Sequence, residues 1–281
     1  MVLGAHVSTA GGIHNAIKNG DELQCDAIQI FLANPNRWES KPPTTEVLEE
    51  FRNAWSNSPI QDVIVHDIHL SNLASPKKDV LEKSRNQFKK QMEFAQQLDI
   101  RYLVTHLGAH LGEGEDFGLK RLTESFDLLI KTTDAEDVII LLETTAGQGT
   151  NLGYTFEHLR DVMAMSKHPD RFGVCLDTCH VFAAGYDIRT EADCNSTFDK
   201  FDEVVGLDRL KAFHINDAKS EFQSRVDRHE HIGEGNIGET AFSYILNDTR
   251  FSKIPLIIET PKMNTMHGKN LKTLRGLVKI H

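Results

Sequence analysis

Histidine and carboxylate side chains recur in this sequence where short hydrophobic segments end. Six of them close such a segment: His66, His106, Glu143, Asp177, His214 and Glu259. Three more lie in the loops that follow two of these segments: His180, Asp227 and His229. Imidazole and carboxylate groups are typical zinc ligands, and manganese or iron are the alternatives. The residue types therefore predict a metal site.

The number and spacing of these side chains indicate more than one ion. Nine candidate ligands are too many for one four-coordinate ion, so we expect a cluster of two or three ions. Asp177 and His180 are three residues apart and can meet if a helical turn begins after the strand. Asp227 and His229 are two residues apart and would share one face of an extended loop.

A multimetal cluster favours a particular class of reaction. Such clusters activate water and stabilise both the attacking and the leaving oxygen in phosphoryl displacement, whereas a single ion is sufficient for many carbonyl reactions. The ligand number therefore favours an enzyme that hydrolyses phosphodiesters. A metal-dependent sugar isomerase or epimerase is the alternative, because it also uses acidic and histidine ligands on a barrel.

Strand and helix signals alternate along the chain that must position these side chains. Apolar segments bounded by turn residues predict eight strands, at residues 2–7, 27–32, 63–66, 102–106, 138–143, 173–177, 212–214 and 255–259. Helical spacing predicts helices between and after them, at residues 13–23, 45–55, 80–98, 117–132, 156–165, 198–207, 241–246 and 271–278. No linker, low-complexity tract or repeat divides the chain, so we expect one domain over residues 1–281.

Eight strand–helix units with continuous apolar strands favour an α/β fold, a (β/α)8 TIM barrel whose parallel strands are covered by helices. Such barrels keep their chemistry at the C-terminal face of the strands, which is where the strand-end ligands would converge. An open doubly wound sheet is the alternative fold. It is disfavoured because Gly11 and Gly12 form a helix-entry turn and no dinucleotide-binding loop follows the first strand.

Composition limits the class of protein further. No apolar run approaches the roughly 18 residues that suggest a membrane span. The N-terminus lacks a secretory signal, so we expect a cytoplasmic protein. Four unevenly spaced cysteines indicate reduced thiols, and we interpret Cys175 and Cys179 as packing residues in preference to a thiolate metal site.

The net charge argues only partly against a nucleic-acid substrate. A formal charge of −10 disfavours a generally basic surface, because phosphate affinity usually comes from clustered lysine and arginine. Divalent ions held by some of these carboxylates would nevertheless concentrate positive charge in one cleft. Whole-chain charge is therefore a poor guide to the site.

Long motifs distributed over almost the whole chain resemble the endonuclease IV family of apurinic/apyrimidinic endonucleases. They are GAHVSTAGG at 4–12, ETTAGQGTNLG at 143–153, GVCLDTCHVFAAGYDIRT at 173–190, HINDAKS at 214–220, SRVDRHEHIGEGNIG at 224–238 and IIET at 257–260. Several motifs of this length in the same order are highly specific.

The resemblance implies a three-zinc barrel enzyme that cleaves duplex DNA on the 5′ side of an abasic site and leaves a 3′ hydroxyl. It implies three ligand groups: His66, His106 and Glu143; Glu143, Asp177, His214 and Glu259; and His180, Asp227 and His229. Glu143 would bridge two ions and orient the attacking hydroxide held between them. We also expect trimming of 3′-blocked ends, manganese as an alternative at some sites, and a monomer.

The sequence departs from the family pattern in the segments that should hold DNA. The loop after the second strand reads ANPNRW at 33–38 where the family has a pattern close to Lys-Asn-Pro-Arg-x-Trp, so Asn36 replaces an arginine and Arg37 is displaced by one position. His69 stands where the family usually has a tyrosine, and Gln223 stands where it usually has glycine. An aromatic wedge that fills a kinked duplex would be smaller here.

We expect DNA contacts from a small set of residues near the cluster: Asn36, Arg37, His69, Lys219, Arg225 and Arg228. The altered loops predict a working enzyme with weaker or altered lesion recognition. A damage-binding protein that has lost catalysis is a further alternative, which the complete ligand set disfavours.

Overall fold

Eight parallel strands close into a barrel in the computed structural model of the protein, which describes residues 1–38 and 42–279. The barrel strands are β1 (Val2–His6), β2 (Ala27–Ile30), β3 (Asp62–His66), β4 (Tyr102–His106), β5 (Ile139–Glu143), β6 (Phe172–Asp177), β7 (Leu210–His214) and β10 (Pro255–Ile258). Between β7 and β10, the short strands β8 (Asp217–Ala218) and β9 (His229–Glu230) form a separate pair. Each barrel strand pairs in parallel with its neighbour along the ring, and β10 pairs with β1. The predicted TIM barrel is confirmed.

Helices in the described part of the chain follow the barrel strands. They are α1 (Asn15–Glu22), α2 (Thr45–Ser56), α3 (Lys78–Gln97), α4 (Glu115–Thr132), α5 (Phe156–Met165), α6 (Thr178–Ala184), α7 (Glu191–Val204), α8 (Glu239–Asn247) and α9 (Met263–Gly276). All but α6, which begins directly after β6 and packs against β8, cover the outside of the barrel. Short 3-10 turns occur at Pro169–Arg171, Leu207–Arg209 and Thr249–Phe251. None of the helices described here combines the length and hydropathy needed to cross a membrane.

The predicted starts of two helices lie well after the observed ones. The helix predicted at 198–207 begins at Glu191, where the side chain of Thr190 accepts a hydrogen bond from the Asp193 backbone N–H and caps the helix. The helix predicted at 271–278 begins at Met263. Apolar periodicity is weak in both first turns, so the capping residue was the more informative signal for α7.

The inside of the barrel contains an apolar layer beneath a polar one. The apolar layer consists of Val2, Ala27, Ile64, Val104, Leu141, Cys175, Ala212 and Ile257. Because side chains alternate across a strand, the residue two positions further along points to the same face. On seven strands that residue is polar: Gln29, His66, His106, Glu143, Asp177, His214 and Glu259. On β1 the corresponding polar residue is His6, after Gly4.

Strand register brings this polar layer to one level. His106 pairs with Glu143 across β4 and β5, and Asp177 pairs with His214 across β6 and β7. Glu259 follows the last residue of β10, so it belongs to the start of the next loop and not to the strand as predicted. The polar ring, defined by His6 and the seven polar residues named above, lies at the C-terminal ends of the strands.

Candidate metal centre

Glu143 is the most connected member of the polar ring. Its Oε2 lies 3.1 Å from His66 Nε2 and 3.0 Å from His106 Nε2. Its Oε1 lies 2.9 Å from His214 Nδ1 and 3.5 Å from His180 Nδ1. The two oxygens of one fully buried carboxylate therefore face two different sets of imidazoles. This is the geometry that a bridging carboxylate requires.

A second group of ligand-type atoms lies on the other side of Glu143. His214 Nδ1 is 3.1 Å from Glu259 Oε2 and 3.8 Å from Asp177 Oδ2. One ligand atom from each of Glu143, Asp177, His214 and Glu259 lies within 4.8 Å of all the others. Three carboxylates this close to one another need a positive charge between them, which a divalent ion supplies.

A third group forms where α6 and the loop after β7 meet. His180 Nε2 lies 3.2 Å from Asp227 Oδ2, and His229 Nε2 lies 3.6 Å from Asp227 Oδ1. The helical turn expected after β6 exists, because the Asp177 carboxylate accepts the His180 backbone N–H at 2.9 Å and starts α6. His180 Nδ1 donates to the Thr144 carbonyl oxygen at 2.8 Å, which leaves Nε2 directed at the third group.

The positions of two imidazole nitrogens in the third group are those of metal ligands and not those of hydrogen-bonded atoms. Within the described residues, the buried Nε2 atoms of His180 and His229 have no hydrogen-bond partner. Both nevertheless lie within 3.6 Å of a carboxylate oxygen. Close atoms that are not aligned for hydrogen bonding, but converge on a common space, are the arrangement expected of ligands around an ion. The donor set therefore fits divalent metal ions.

The electrostatics of the cluster are those of a site prepared for cations. Burial alone would lower the pKa of both His180 and His214. Contacts with Cys175, Glu259 and Glu143 raise the pKa of His214 well above 6.5, and nearby carboxylates raise that of His180 well above 6.5. For His180 these are chiefly Asp177 and Asp227. Burial alone would raise the pKa of Glu143, but the charges and hydrogen bonds of His106 and His214 lower it well below 4.5. Without metal, protonated histidines supply the positive charge that ions would otherwise provide.

The loop over residues 217–238 is organised by the buried carboxylate of Asp217. Asp217 and Ala218 form a two-residue strand β8 (Asp217–Ala218), which pairs antiparallel with β9 (His229–Glu230). The carboxylate accepts backbone N–H groups of Gly233 at 2.9 Å, Gly235 at 3.1 Å and Ile237 at 3.0 Å. A segment with little apolar periodicity is thus fixed by charge-assisted hydrogen bonds, and it carries Asp227 and His229.

Three supporting residues were not identified as part of the site by sequence reasoning. Asn216 donates from Nδ2 to Asp177 Oδ2 at 2.8 Å, and its Oδ1 accepts the Glu259 backbone N–H at 2.7 Å. Thr144 accepts the Asp177 backbone N–H at 2.9 Å. Gln29 belongs to the polar ring. Its position two residues after an inward-facing alanine was the available signal, because it matches the spacing of the candidate ligands.

Three of the residues expected to contact DNA, Asn36, Arg37 and His69, lie in the loops after β2 and β3. A cleft of about 950 Å³ adjoins the ring and is lined in part by His6, Phe31, His69 and Glu259. The His69 ring packs edge-on against Phe31, with 5.2 Å between centroids. Asn36 and Arg37 are exposed on a turn after β2. Glu39, Ser40 and Lys41, beside this turn, lie outside the described residues.

The three basic candidates of the loop after β7 differ in how free their side chains are. Arg225 stacks its guanidinium over Tyr154, 4.2 Å from the ring centroid. Arg228 donates to the Asp227 carbonyl oxygen at 2.6 Å. Lys219 is exposed, and its backbone N–H donates to the Arg228 carbonyl oxygen at 2.9 Å. Their contacts with DNA stay predictions.

All four cysteines are buried and unpaired. Burial raises the pKa of Cys175 to about 12 and of Cys194 to about 12. The Cys179 Sγ donates to the Arg228 carbonyl oxygen at 3.5 Å, and burial raises its pKa further still. Cys179 lies near Asp177 and His229, but its Sγ faces the Arg228 carbonyl oxygen. The geometry supports packing residues.

The chain is similar over nearly its whole length to other proteins. Residues 17–277 match the family described as xylose isomerase-like TIM barrel. The chain is 52% identical over 279 residues to a protein named probable endonuclease 4 from Geotalea daltonii, with 99% of this chain and 98% of that protein covered. The crystal structure of endonuclease IV from Thermus thermophilus has 31% sequence identity and a TM-score of 0.89, and covers 99% of this chain and 98% of that one.

The fold is also shared with a protein named as epimerase-like. A D-tagatose 3-epimerase-like protein covers 99% of this chain and 97% of its own, with a TM-score of 0.75 and 18% identity. At that identity the likeness shows the fold alone. The ligand groups and their surroundings must therefore distinguish the two classes of enzyme.

Proposed function

This chain belongs to the endonuclease IV family of the xylose isomerase-like TIM barrels, and from that premise we propose that it cleaves the phosphodiester on the 5′ side of an abasic site in duplex DNA and leaves a 3′ hydroxyl. Membership makes the chain a DNA repair endonuclease, and therefore a hydrolase. The proposal adds the lesion, the position of the cut and a cluster of three zinc ions, with manganese as an alternative at some positions.

One observation carries the proposal: nine ligand-type side chains converge in three groups around Glu143. The groups are His66, His106 and Glu143; Glu143, Asp177, His214 and Glu259; and His180, Asp227 and His229, and the ligand atoms within each lie within 4.8 Å of one another. Three groups that share Glu143 or adjoin it favour a trinuclear cluster. A sugar epimerase would not require the third group, so the epimerase alternative is disfavoured.

The side chains around the cluster would have different roles. Zinc ions bound here would activate water and stabilise the attacking and leaving oxygens of a phosphoryl displacement. Glu143 faces both histidine sets, so it would bridge two ions and orient the attacking water. Asn216 bonds the carboxylate of Asp177 and Thr144 bonds its backbone N–H, so both would hold Asp177 in position. No side-chain nucleophile is needed.

The surroundings of the cluster suit the sugar-phosphate backbone of DNA as a substrate. The cleft beside the ring can take a sugar displaced from the duplex, with His69 and Phe31 on its wall. Lys219 and Arg228 lie on the β8–β9 segment next to the third group and would contact flanking phosphates. Hydrolysis at a 3′ end by the same groups would trim blocked termini. We propose that one domain acts as a monomer in the cytoplasm.

A cleavage assay tests the proposal directly. A duplex with one abasic site and the same duplex undamaged are incubated with the protein, with and without chelator, and the product ends are mapped. We expect incision 5′ to the lesion only, lost after metal removal and restored by zinc. Glu143→Gln should abolish incision, and Glu124→Gln, at an exposed position of α4, is the matched control that should retain it. Full activity after complete metal removal would overturn the mechanism, and turnover of D-tagatose without DNA cleavage would favour an epimerase.

A further inference from the structure

Two members of the polar ring, His6 and Gln29, are not among the predicted ligands. They lie on the adjacent strands β1 and β2, and both are buried. The Gln29 amide bonds three neighbours in the ring: its Nε2 lies 2.6 Å from Glu259 Oε1 and 3.0 Å from His6 Nδ1, and its Oε1 lies 2.8 Å from His214 Nε2. A primary amide has two N–H donors facing the first two atoms and one acceptor facing the third.

The orientation of this amide is fixed by its partners. Reversing its oxygen and nitrogen would place Oε1 at 2.6 Å from a carboxylate oxygen of Glu259, where two acceptors repel each other. The observed orientation therefore requires His214 to donate from Nε2 and His6 to accept at Nδ1. One side chain thus holds a proton on Nε2 of His214, which is the tautomer that a neutral His214 must adopt to bind metal through Nδ1, and makes Nδ1 of His6 an acceptor.

The consequences reach the second ligand group. With its proton held on Nε2, His214 presents Nδ1 to Glu143 Oε1 and to Glu259 Oε2, at 2.9 and 3.1 Å. The two carboxylate oxygens of Glu259 have different partners: Oε1 faces Gln29, and Oε2 faces His214. Both ligand atoms on this side of the ring are therefore aimed by the same amide.

We propose that Gln29 is a positioning residue for the metal ion held by Glu143, Asp177, His214 and Glu259, because its amide orients the last two. The inference rests on the proposed function for the presence of that ion. Hydrogen-bond partners that orient metal ligands typically contribute about 10- to 100-fold to metal affinity or activity. A glutamine that merely filled buried space would not need all its donors and its acceptor paired with ring members.

Metal retention in a matched pair of variants tests the proposal. Gln29→Met keeps the length of the side chain and removes its hydrogen bonds, and Gln87→Met makes the same change at a buried glutamine of α3. Zinc-loaded proteins are titrated with a chelator, and the ions retained are counted by atomic absorption. We expect Gln29→Met to lose one ion at about 10- to 100-fold lower chelator concentration than wild type. Gln87→Met should follow the wild-type curve.

The outcomes separate this proposal from the proposed function. If the wild type retains zinc and cleaves abasic DNA, but Gln29→Met retains zinc equally well, only the positioning role is overturned. If Gln29→Met and Gln87→Met lose zinc alike, the effect belongs to lost packing and the role is also overturned. Wild-type protein that holds no zinc would overturn both proposals.

A second measurement needs no variant, so it holds even if Gln29→Met does not fold. Nitrogen-15 NMR of histidine-labelled, zinc-loaded wild type reports which ring nitrogen carries the proton. We expect a proton on Nε2 of His214, protected from solvent exchange, and a proton on Nε2 of His6. A His214 ring protonated on Nδ1 instead would overturn the proposal, because Gln29 would then not direct Nδ1 to the metal.

Discussion

Glu143 and His214 form a buried contact in which Oε1 lies 2.9 Å from Nδ1. The two residues come from β5 and β7, which β6 separates in the ring, and they meet because both side chains point into the barrel. Without metal, the carboxylate and a protonated imidazole neutralise each other, and the pKa of His214 is well above 6.5. A metal ion bound at His214 would displace that proton, so we expect this contact to link metal occupancy to pH.

The stability of the metal-free protein should depend on pH through the raised pKa values of His180 and His214. Folded-state pKa values of His180 and His214 raised above 6.5 contribute stability that is fully present below pH 6.5 and is lost as pH rises through the raised values. The metal-free protein should therefore unfold at progressively lower temperature as pH rises from 6.5 into the alkaline range. Calorimetry of metal-free and zinc-loaded protein over that range checks this, since the zinc-loaded form should show a smaller dependence. A metal-free form that becomes more stable would contradict it.

Asp217→Asn should loosen the loop that carries Asp227 and His229. An amide in place of the carboxylate would direct N–H groups at the backbone donors of Gly233 or Ile237, and each unsatisfied buried group costs about 1–3 kcal/mol. Chelator titration should release one ion early while the remaining two stay bound. Asp208→Asn, at an exposed position, is the matched control. Unchanged retention of all ions in Asp217→Asn would rule out this role of the carboxylate.

The four thiols should be unreactive in the native protein. Burial raises the pKa of Cys25 to about 11, so thiolate is scarce at pH 8, and Cys175, Cys179 and Cys194 are buried as well. A colorimetric thiol reagent at pH 8 should label the folded protein slowly and label four groups rapidly in denaturant. Rapid labelling of folded protein would show that a cysteine is accessible after all.

Restoring the family residues in the altered loops should strengthen lesion binding. Asn36→Arg adds a cation on an exposed turn, and His69→Tyr enlarges the aromatic surface beside Phe31. Base–aromatic stacking typically contributes about 1–3 kcal/mol, so the double variant should bind abasic duplex about fivefold or more tightly. Fluorescence anisotropy with abasic and undamaged duplex measures the gain. If affinity for abasic duplex does not rise, these positions do not limit recognition.

Some element boundaries could be predicted from the sequence, and others could not. The strand predicted at 102–106 and the helix predicted at 156–165 match β4 and α5 at both ends, because each has strong periodicity and clear boundaries. The start of α7 at Glu191 was missed, since capping and acidic side chains begin a helix that apolar spacing does not reveal. The β8–β9 pair was also missed, because two-residue strands carry no detectable period.

The barrel, the family and the set of metal-type residues could all be read from the amino-acid sequence, because alternating strand and helix periodicity and strand-end chemistry are local properties of a chain. Which atoms of those residues face one another depends on the folded protein. Glu143 faces histidines on both sides, Arg225 stacks on Tyr154, and Gln29 holds Glu259, which lies 230 residues away. Such relationships follow from strand register and barrel closure, which bring distant residues to one level and which no local pattern encodes.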